Sequence, residues 1–185
     1  RAAFPPDIDT GDSRVLWRTD SQEDEHVLYI VGPETPDATH IVEQAGWDTR
    51  PPQSADYGRL QNSLMKGQQW AFELVANPVS SKAGAHGTRG KVVAHVTAEQ
   101  QLEWLTQRAE AAGFTLLDDA RVVGRERLSF RKGPDEKSRR ISLSTARFSG
   151  TIEVTDVDAL RSTLNQGIGR ARAYGCGLLT LARHH

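Results

Sequence analysis

Two segments near the start of the chain alternate hydrophobic and polar residues, as half-buried strands do. They are RVLWRTD at 14–20 and HVLYIVG at 26–32, and the acidic run SQEDE connects them. Alternation on both sides of a short polar connection predicts an antiparallel hairpin. After it, the pattern predicts a short helix within 38–46, helical turns within 55–67 and a strand over 68–79.

The middle of the chain predicts a strand and an amphipathic helix. KVVAHV at 91–96 is the strand, and Thr97 begins a helix in which Gln100 completes a Thr-x-x-Gln capping box. Gly113 is placed to end this helix. The apolar residues that recur at helical spacing within it are Ala98, Leu102, Leu105, Ala109 and Ala112.

The last third predicts a long hairpin, a helix and a final strand. The arms of the hairpin are 121–133 and 139–156, around the polar tip GPDEKS. Thr155 or Asp156 then caps a helix, because both residue types are preferred at that position. After a glycine-rich segment, CGLLTLA at 176–182 predicts the final strand.

The order of these elements predicts the fold class. From residue 91 onward it is β-α-β-β-α-β, the order of a ferredoxin-like (RRM-like) domain, and the first half shows the end of the same order. We therefore predict an α+β protein of two tandem ferredoxin-like βαββαβ domains, the first lacking its opening strand and most of its first helix. Residues 1–80 form the incomplete domain, the Gly-, Ser- and Ala-rich segment 81–90 the linker, and residues 91–183 the second domain.

Charge is distributed unevenly along the chain. The formal net charge is −1, yet residues 121–185 carry 13 basic and 6 acidic side chains, against 6 and 12 in residues 1–66. This asymmetry is compatible with a polyanionic partner or with attraction between the two parts of the protein. No apolar run approaches the ~18 residues that span a membrane, and the single Cys176 excludes an internal disulfide and a cysteine-based zinc site. We expect a cytoplasmic protein without cofactor, metal or membrane partner.

The run NQGIGRARAYGCGLL at 165–179 raises the question of a phosphate-binding loop. It lacks the third glycine of a dinucleotide fingerprint, follows a helix instead of preceding one, and has no Walker lysine. Two interpretations remain: a loop whose backbone and guanidinium groups hold phosphates, or a tight turn that lets a helix and a strand pack. The candidate binding residues of this segment are Gly167, Gly169, Arg170, Arg172, Gly175 and Gly177.

Four stretches of the chain resemble one known family. The run FSGTIEVTDVDALRSTLNQGIGRARAYGCGLLTLA resembles the C-terminal signature of CasE-type CRISPR repeat-processing endoribonucleases of the RAMP superfamily. RVLWRTD, WAFELVANPV and KVVAHVTAEQQLEWL resemble the same family in the same order. The resemblance implies tandem ferredoxin-like domains and metal-independent cleavage of CRISPR precursor RNA at the base of repeat stem-loops, by attack of a ribose 2′-OH. It also implies that the product hairpin is retained, together with other subunits of the Cascade complex.

The resemblance leaves the catalytic residues of this chain unknown. The histidine of the family, with a nearby tyrosine, belongs to a first helix upstream of the position that matches RAAFPP. None of the six histidines present takes that place by motif. We therefore expect the chain as given to bind repeat RNA far better than it cleaves it. The alternative functions are a non-catalytic RNA-binding RAMP subunit that scaffolds a ribonucleoprotein, and a ferredoxin-like small-molecule-binding domain, which the basic C-terminal third argues against.

The predicted long hairpin is the second candidate site. In the family that the chain resembles, a basic hairpin of the C-terminal domain contacts the RNA stem, largely through phosphates and shape. The plainer interpretation is a solvated surface hairpin. The candidate RNA-contacting residues are Arg131, Lys132, Lys137, Arg139 and Arg140.

Overall fold

The structure is a computed structural model that describes residue 4 and residues 14–22, 25–45, 52–82, 91–131 and 140–183. Its strands are β1 (Leu16–Gln22), β2 (Glu25–Val31), β3 (Gln69–Ala76), β4 (Val79–Lys82), β5 (Lys91–Ala94), β6 (Phe114–Leu116), β7 (Arg121–Arg131), β8 (Arg140–Val154) and β9 (Leu179–Arg183). Its helices are α1 (Thr39–Ala45), α2 (Tyr57–Ser63), α3 (Ala98–Ala109) and α4 (Val157–Gln166), and a single 3-10 turn spans Arg172–Tyr174.

A five-stranded antiparallel sheet forms the centre of the molecule. Its strands run in the order β9-β3-β8, and both β7 and β6 pair with the far edge of β8. β3 takes the central position because every second residue in it is buried, Trp70, Phe72 and Leu74 among them. Such strict alternation gives a strand one face for the core and one for other contacts.

The predicted strand order differs from the structure in one place. The strand predicted over 91–96 forms β5, but it pairs with β4 in a separate two-stranded sheet, and β3 fills the sheet position expected for it. β5 is short and its Val92 is exposed, so it offers no continuous apolar face to a core. β4 also extends into the predicted linker, of which 83–90 lies outside the described residues. The division of the chain into domains stays a prediction.

The helices begin where their caps predict. Thr97 accepts from the backbone N–H of Gln100, whose side chain in turn accepts from the Thr97 N–H, so the capping box is confirmed. Asp156, not Thr155, caps α4 by accepting from the backbone N–H groups of Asp158 and Ala159. The two weak helical predictions in the first half correspond to α1 and α2.

The core lies between one face of the sheet and helices α3 and α4. Leu160 and Leu164 of α4 are fully buried. The buried face of α3 is rotated from the predicted one, because it centres on Trp104 and Leu105 and leaves Ala98 exposed. The Trp104 ring stacks on the Phe148 ring of β8 at a centroid separation of 6.3 Å.

The predicted N-terminal hairpin is confirmed and lies against the other face of the sheet. β1 and β2 pair in register from Leu16↔Val31 to Gln22↔Glu25. Arg18 of β1 is only 3% exposed, and its guanidinium donates to the backbone oxygen of Glu73 (3.1 Å) and the hydroxyl of Thr180 (3.0 Å). These bonds connect the hairpin to β3 and β9.

Four charged side chains complete this attachment. The Asp20 carboxylate accepts from Arg18 at 2.8 Å and from Arg147 of β8 at 2.7 Å. The Glu73 carboxylate accepts from the same two arginines, at 3.3 and 3.2 Å. We call Arg18, Asp20, Glu73 and Arg147 the docking network. Each charge in it faces two of opposite sign, which compensates for the burial of Arg18.

Asp20→Ala removes the carboxylate that lies between the two arginines. Arg18 then stays buried without its main partner, and we expect the free energy of unfolding to fall by about 3–5 kcal/mol. As the control, Asp158→Ala breaks the exposed ion pair with Arg161 and should change stability by about 1 kcal/mol or less. Chemical denaturation at pH 7 measures both, and equal losses would contradict a structural role for the docking network.

The Asp20 carboxyl group also makes the stability of the protein depend on pH. Burial raises the pKa of Asp20, but the hydrogen bonds and charges of Arg18 and Arg147 outweigh it and hold the pKa below its ordinary value of 3.8. Because the folded-state pKa is the lower one, this stabilisation is present above the unfolded-state pKa of about 3.9 and is lost as pH falls through the folded-state pKa. The stability difference between the wild type and Asp20→Ala should therefore shrink below about pH 4.

Candidate nucleic-acid interface

The glycine-rich segment connects α4 to β9 and is bound to the end of β3. Its first glycine, Gly167, donates to the Thr163 carbonyl at 2.8 Å and so ends α4. Gly177 donates to the Val75 carbonyl at 2.7 Å. Between these points Arg170 forms an isolated antiparallel bridge with Asn77. The segment therefore lies along the strand end that the Asn77-Pro78 pair terminates.

All four glycines of this segment have a positive φ, between 75° and 91°. A Cβ on Gly167 would lie 2.9 Å from the carbonyl oxygen of Gly177 and 3.0 Å from Leu16, and one on Gly177 would lie 2.8 Å from the carbonyl oxygen of Ile168. The other two glycines meet aromatic rings at 2.9 Å, Gly169 that of Trp104 and Gly175 that of Trp17. The close approach at these glycines is thus to the protein's own backbone and side chains.

This geometry gives the glycines a packing role and leaves an RNA contact by them a prediction. Leu16 and Trp17 belong to β1, so two of the glycines make room for the N-terminal hairpin. The backbone N–H of Arg14 also donates to the Asn165 carbonyl at 3.1 Å, at the end of α4. The glycine-rich segment therefore connects α4 to β9 and also packs against β1, a strand from the first half of the chain.

The two arginines of the segment have different surroundings. Arg170 is exposed, and its guanidinium donates to the Ser81 hydroxyl at 3.2 Å. Arg172 is half-buried, and burial together with the charge of Arg14 lowers its pKa. Its Nε has no hydrogen-bond partner among the described residues. Arg172 thus keeps one unused donor close to the charge of Arg14.

Asn77, which directly precedes Pro78 at the end of β3, is a member of this site that no sequence motif identified. Its side chain is 92% buried, since it is 8% exposed, and its Oδ1 has no hydrogen-bond partner within the described ranges. The bridge to Arg170 places it under the segment. A buried Asn directly before a proline, at the end of an apolar strand, is the sequence signal that could have identified it.

The β7–β8 hairpin presents arginines on one face. Opposite residues of an antiparallel pair share a face, and so do residues two apart on one strand. The register therefore brings four basic residues to the face that α3 and α4 cover only in part, with serines between them. The residues of this basic face are Arg125, Arg127, Ser129, Arg131, Arg140, Ser142 and Ser144.

Hydrogen bonds hold parts of the basic face in place. Arg140 donates from Nε to the Ser129 hydroxyl at 2.7 Å, and Arg125 donates to the Val96 carbonyl at 3.2 Å. Arg127 is exposed opposite Ser144. The predicted contact residues Lys132, Lys137 and Arg139 lie outside the described residues. Arg131 and Arg140 stand directly opposite each other in the register.

A histidine contact, the grouping of metal-ligating side chains and the apolar length of the helices complete the description of the site. His26 has a described partner, the Ser21 hydroxyl, which lies 2.8 Å from its Nδ1 at the far end of the N-terminal hairpin. Within the ranges that the structure describes, no three His, Cys, Asp or Glu side chains are grouped to hold a metal ion. Of the described helices, none is both long and apolar enough to cross a membrane.

An α+β protein whose long hairpin carries arginines along one face has the surface chemistry of a nucleic-acid-binding protein. The chain belongs to the family of CRISPR associated proteins, which matches residues 1–183. It is 28% identical over 183 residues to the CRISPR-associated endoribonuclease Cse3 of Thermus thermophilus, an alignment that covers 95% of this chain and 82% of that protein. It is 27% identical over 182 residues to the Cascade subunit CasE of Escherichia coli, with 90% and 88% covered.

Solved structures that resemble this chain include structures of Cse3, one of the same relatives. Thermus thermophilus Cse3 bound to an RNA that represents a pre-cleavage complex matches with a TM-score of 0.74 and 29% identity, over 93% of this chain and 79% of that one. Cse3 bound to a 19-nucleotide RNA matches with a TM-score of 0.72 and 28% identity, over 92% and 80%. The predicted membership of the CasE-type family is therefore confirmed.

Gly167→Ala tests the packing role of the glycine segment against Gly67→Ala. Both glycines have a positive φ, but a Cβ on Gly67 would meet nothing within 4 Å. We expect Gly67→Ala to lower the free energy of unfolding by about 1–2 kcal/mol, the cost of the left-handed backbone alone. Gly167→Ala should lose about 1–3 kcal/mol more through overpacking. Equal losses in chemical denaturation would show that packing against Leu16 and Gly177 is unimportant.

Proposed function

We propose that this protein is an RNA-binding endoribonuclease component that processes CRISPR repeat RNA, and that the basic face of the β7–β8 hairpin contacts the RNA stem. The arrangement of arginines on that face is the observation that carries the proposal. Its relatives support it, since they are named CRISPR endoribonuclease Cse3 and Cascade subunit CasE. Other Cascade subunits are the proposed protein partners.

The geometry of the basic face suits a duplex backbone. Arg125 and Arg127 are two residues apart on one strand, which spaces their side chains by about 7 Å along the hairpin. Their neighbours across the ladder are small, so the guanidinium groups project past them. Double-stranded RNA is recognised mainly through phosphates and 2′-hydroxyls. Arginine suits phosphates because its planar group donates two parallel hydrogen bonds.

We also propose a ferredoxin-like arrangement for the part of the chain built around the five-stranded sheet. Read along the chain, β3, α3, β7, β8, α4 and β9 follow the order β-α-β-β-α-β. The spatial order β9-β3-β8-β7 corresponds to strands four, one, three and two of that unit. In this proposal the β4–β5 hairpin is an insertion between the first strand and the first helix.

The proposed cleavage needs an attacking 2′-OH, a phosphate held in place and a general acid and base. The ribose 2′-OH attacks the adjacent phosphorus, the bond to the 5′-oxygen of the next nucleotide breaks, and a 2′,3′-cyclic phosphate and a 5′-OH remain. Arg170 and Arg172 are the proposed donors to phosphates at this point, through charge-assisted hydrogen bonds. The general acid and base are not assigned among the described residues.

Arg127→Ala and Arg140→Ala test the stem contact. Each removes a phosphate donor, so we expect weaker binding of repeat stem-loop RNA and a log–log salt slope shallower by about 1. The matched control is Arg59→Ala, an arginine on α2 whose side chain is 88% exposed, which should leave both values unchanged. Fluorescence anisotropy at several salt concentrations measures them. Unchanged salt slopes for both hairpin variants would contradict the proposed interface.

The double variant Arg170→Ala/Arg172→Ala tests the glycine segment. It should keep the melting temperature within about 3 °C, because such a change leaves the packed glycines in place. We expect it to weaken stem-loop binding through the loss of two charge-assisted donors. Arg183→Ala, which removes one exposed charge at the end of β9, is the control for net charge. A folded double variant with wild-type RNA affinity would leave these arginines without an RNA role.

A further inference from the structure

A cavity of about 560 Å³ opens on the face of the sheet opposite α3 and α4. The residues that line it come from the N-terminal hairpin and from the C-terminal part of the chain. Trp17 of β1 and Tyr174 of the 3-10 turn contribute aromatic side chains, Val75 and Thr145 come from the central strands, and Glu126 comes from β7. The volume lies within the range of about 300–1,000 Å³ that is usual for small-molecule sites.

The Tyr174 side chain is held in place at the edge of this cavity. Its ring packs against Phe130 of β7 at a centroid separation of 5.1 Å. The turn that carries it follows Ala171, which has a φ of 63° and is the non-glycine residue with a positive φ in the described part of the chain. A left-handed conformation at alanine costs about 1–2 kcal/mol. Backbone strain of this kind concentrates at functional sites.

The charges in the cavity are balanced. The carboxylates of Asp20 and Glu73 neutralise the guanidinium groups of Arg18 and Arg147 in its lining. Arg125 also belongs to the lining, where its charge offsets that of Glu126, and its guanidinium donates to the Val96 carbonyl. The cavity therefore has little net charge to attract a phosphate. The exposed carboxylate of Glu126 remains as a hydrogen-bond acceptor. Aromatic rings together with an acceptor suit a flat, uncharged ring that carries N–H donors.

The cavity is continuous with the glycine segment. Gly175 and Cys176, which follow the 3-10 turn directly, are part of its lining. Arg172 begins the same turn two residues before Tyr174. An RNA strand whose phosphates lie on Arg170 and Arg172 would therefore pass the mouth of the cavity.

We propose that this cavity binds one unpaired nucleobase of the RNA, from the single-stranded segment that flanks the stem. The base stacks on Tyr174 and donates an exocyclic amino hydrogen to Glu126, so adenine, cytosine or guanine is bound in preference to uracil. This proposal rests on the proposed function, because the phosphates on either side of the base are placed by the glycine-segment arginines.

The experiment measures the affinity of the full chain for a repeat stem-loop RNA with single-stranded flanks. In a series of such RNAs, one flanking nucleotide at a time is replaced by an abasic ribose. We expect one position at which loss of the base weakens wild-type binding about tenfold, as loss of a stacked base does. With Tyr174→Ala, the intact RNA should bind about tenfold more weakly, and the abasic change at that position should have no further effect.

Three further variants separate stacking from general damage. Tyr174→Phe keeps the ring and should retain wild-type affinity to within about twofold, because stacking requires only the aromatic face. Glu103→Gln lies on α3, on the far side of the sheet, and should change nothing. Glu126→Ala should reduce the preference for an amino-bearing base over uracil at the same position. Thermal melting checks that each variant is folded.

The possible results distinguish this inference from the proposed function. If the stem-loop binds but no flanking base matters, or if the base effect is the same in the wild type and in Tyr174→Ala, the nucleobase site is refuted and the stem contact stands. If the wild type binds none of the RNAs, the proposed function fails, and the nucleobase site fails with it. Loss of affinity in Tyr174→Phe equal to that in Tyr174→Ala would refute stacking.

Discussion

A buried guanidinium constrains this structure more than any other single group. Arg18 is 3% exposed, and a buried charge is tolerated only when it is paired and hydrogen-bonded. Asp20 is a partner from its own strand, but the partners from β3 and β9 are available only when the N-terminal hairpin lies on the sheet. The docking network therefore specifies where the hairpin lies, with Asp20 and Arg147 as the second connection.

The position of the hairpin determines the shape of the glycine segment. Leu16 and Trp17, the two residues that precede Arg18 in β1, occupy space that side chains at Gly167 and Gly175 would fill. The segment in turn carries the arginines proposed to hold phosphates. Binding chemistry in the C-terminal part of the chain thus depends on packing from the N-terminal part.

The uneven charge distribution has two physical consequences in the structure. Asp20, from the acidic first third, pairs with Arg147 from the basic last third, so attraction between the two parts is present. That attraction involves only a few of the basic residues. Arg127 and Arg140 instead lie on the basic face, where Arg140 is bound to a serine hydroxyl. Attraction between the two parts therefore accounts for Arg147, and contact with a polyanionic partner is the proposal for the arginines of the basic face.

The amino-acid sequence by itself determined the local features: the Thr97 capping box, the N-terminal hairpin and the long β7–β8 hairpin follow from patterns a few residues long. Only the tertiary structure decided that β3, instead of the segment at 91–96, lies in the centre of the sheet. Strand order depends on which strands pack their apolar faces into the same hydrophobic core. It also decided what the glycines approach. A run of glycines shows that the backbone is constrained, but the neighbours that constrain it, Leu16, Trp17 and Trp104, are distant in sequence and meet the segment only in the folded chain.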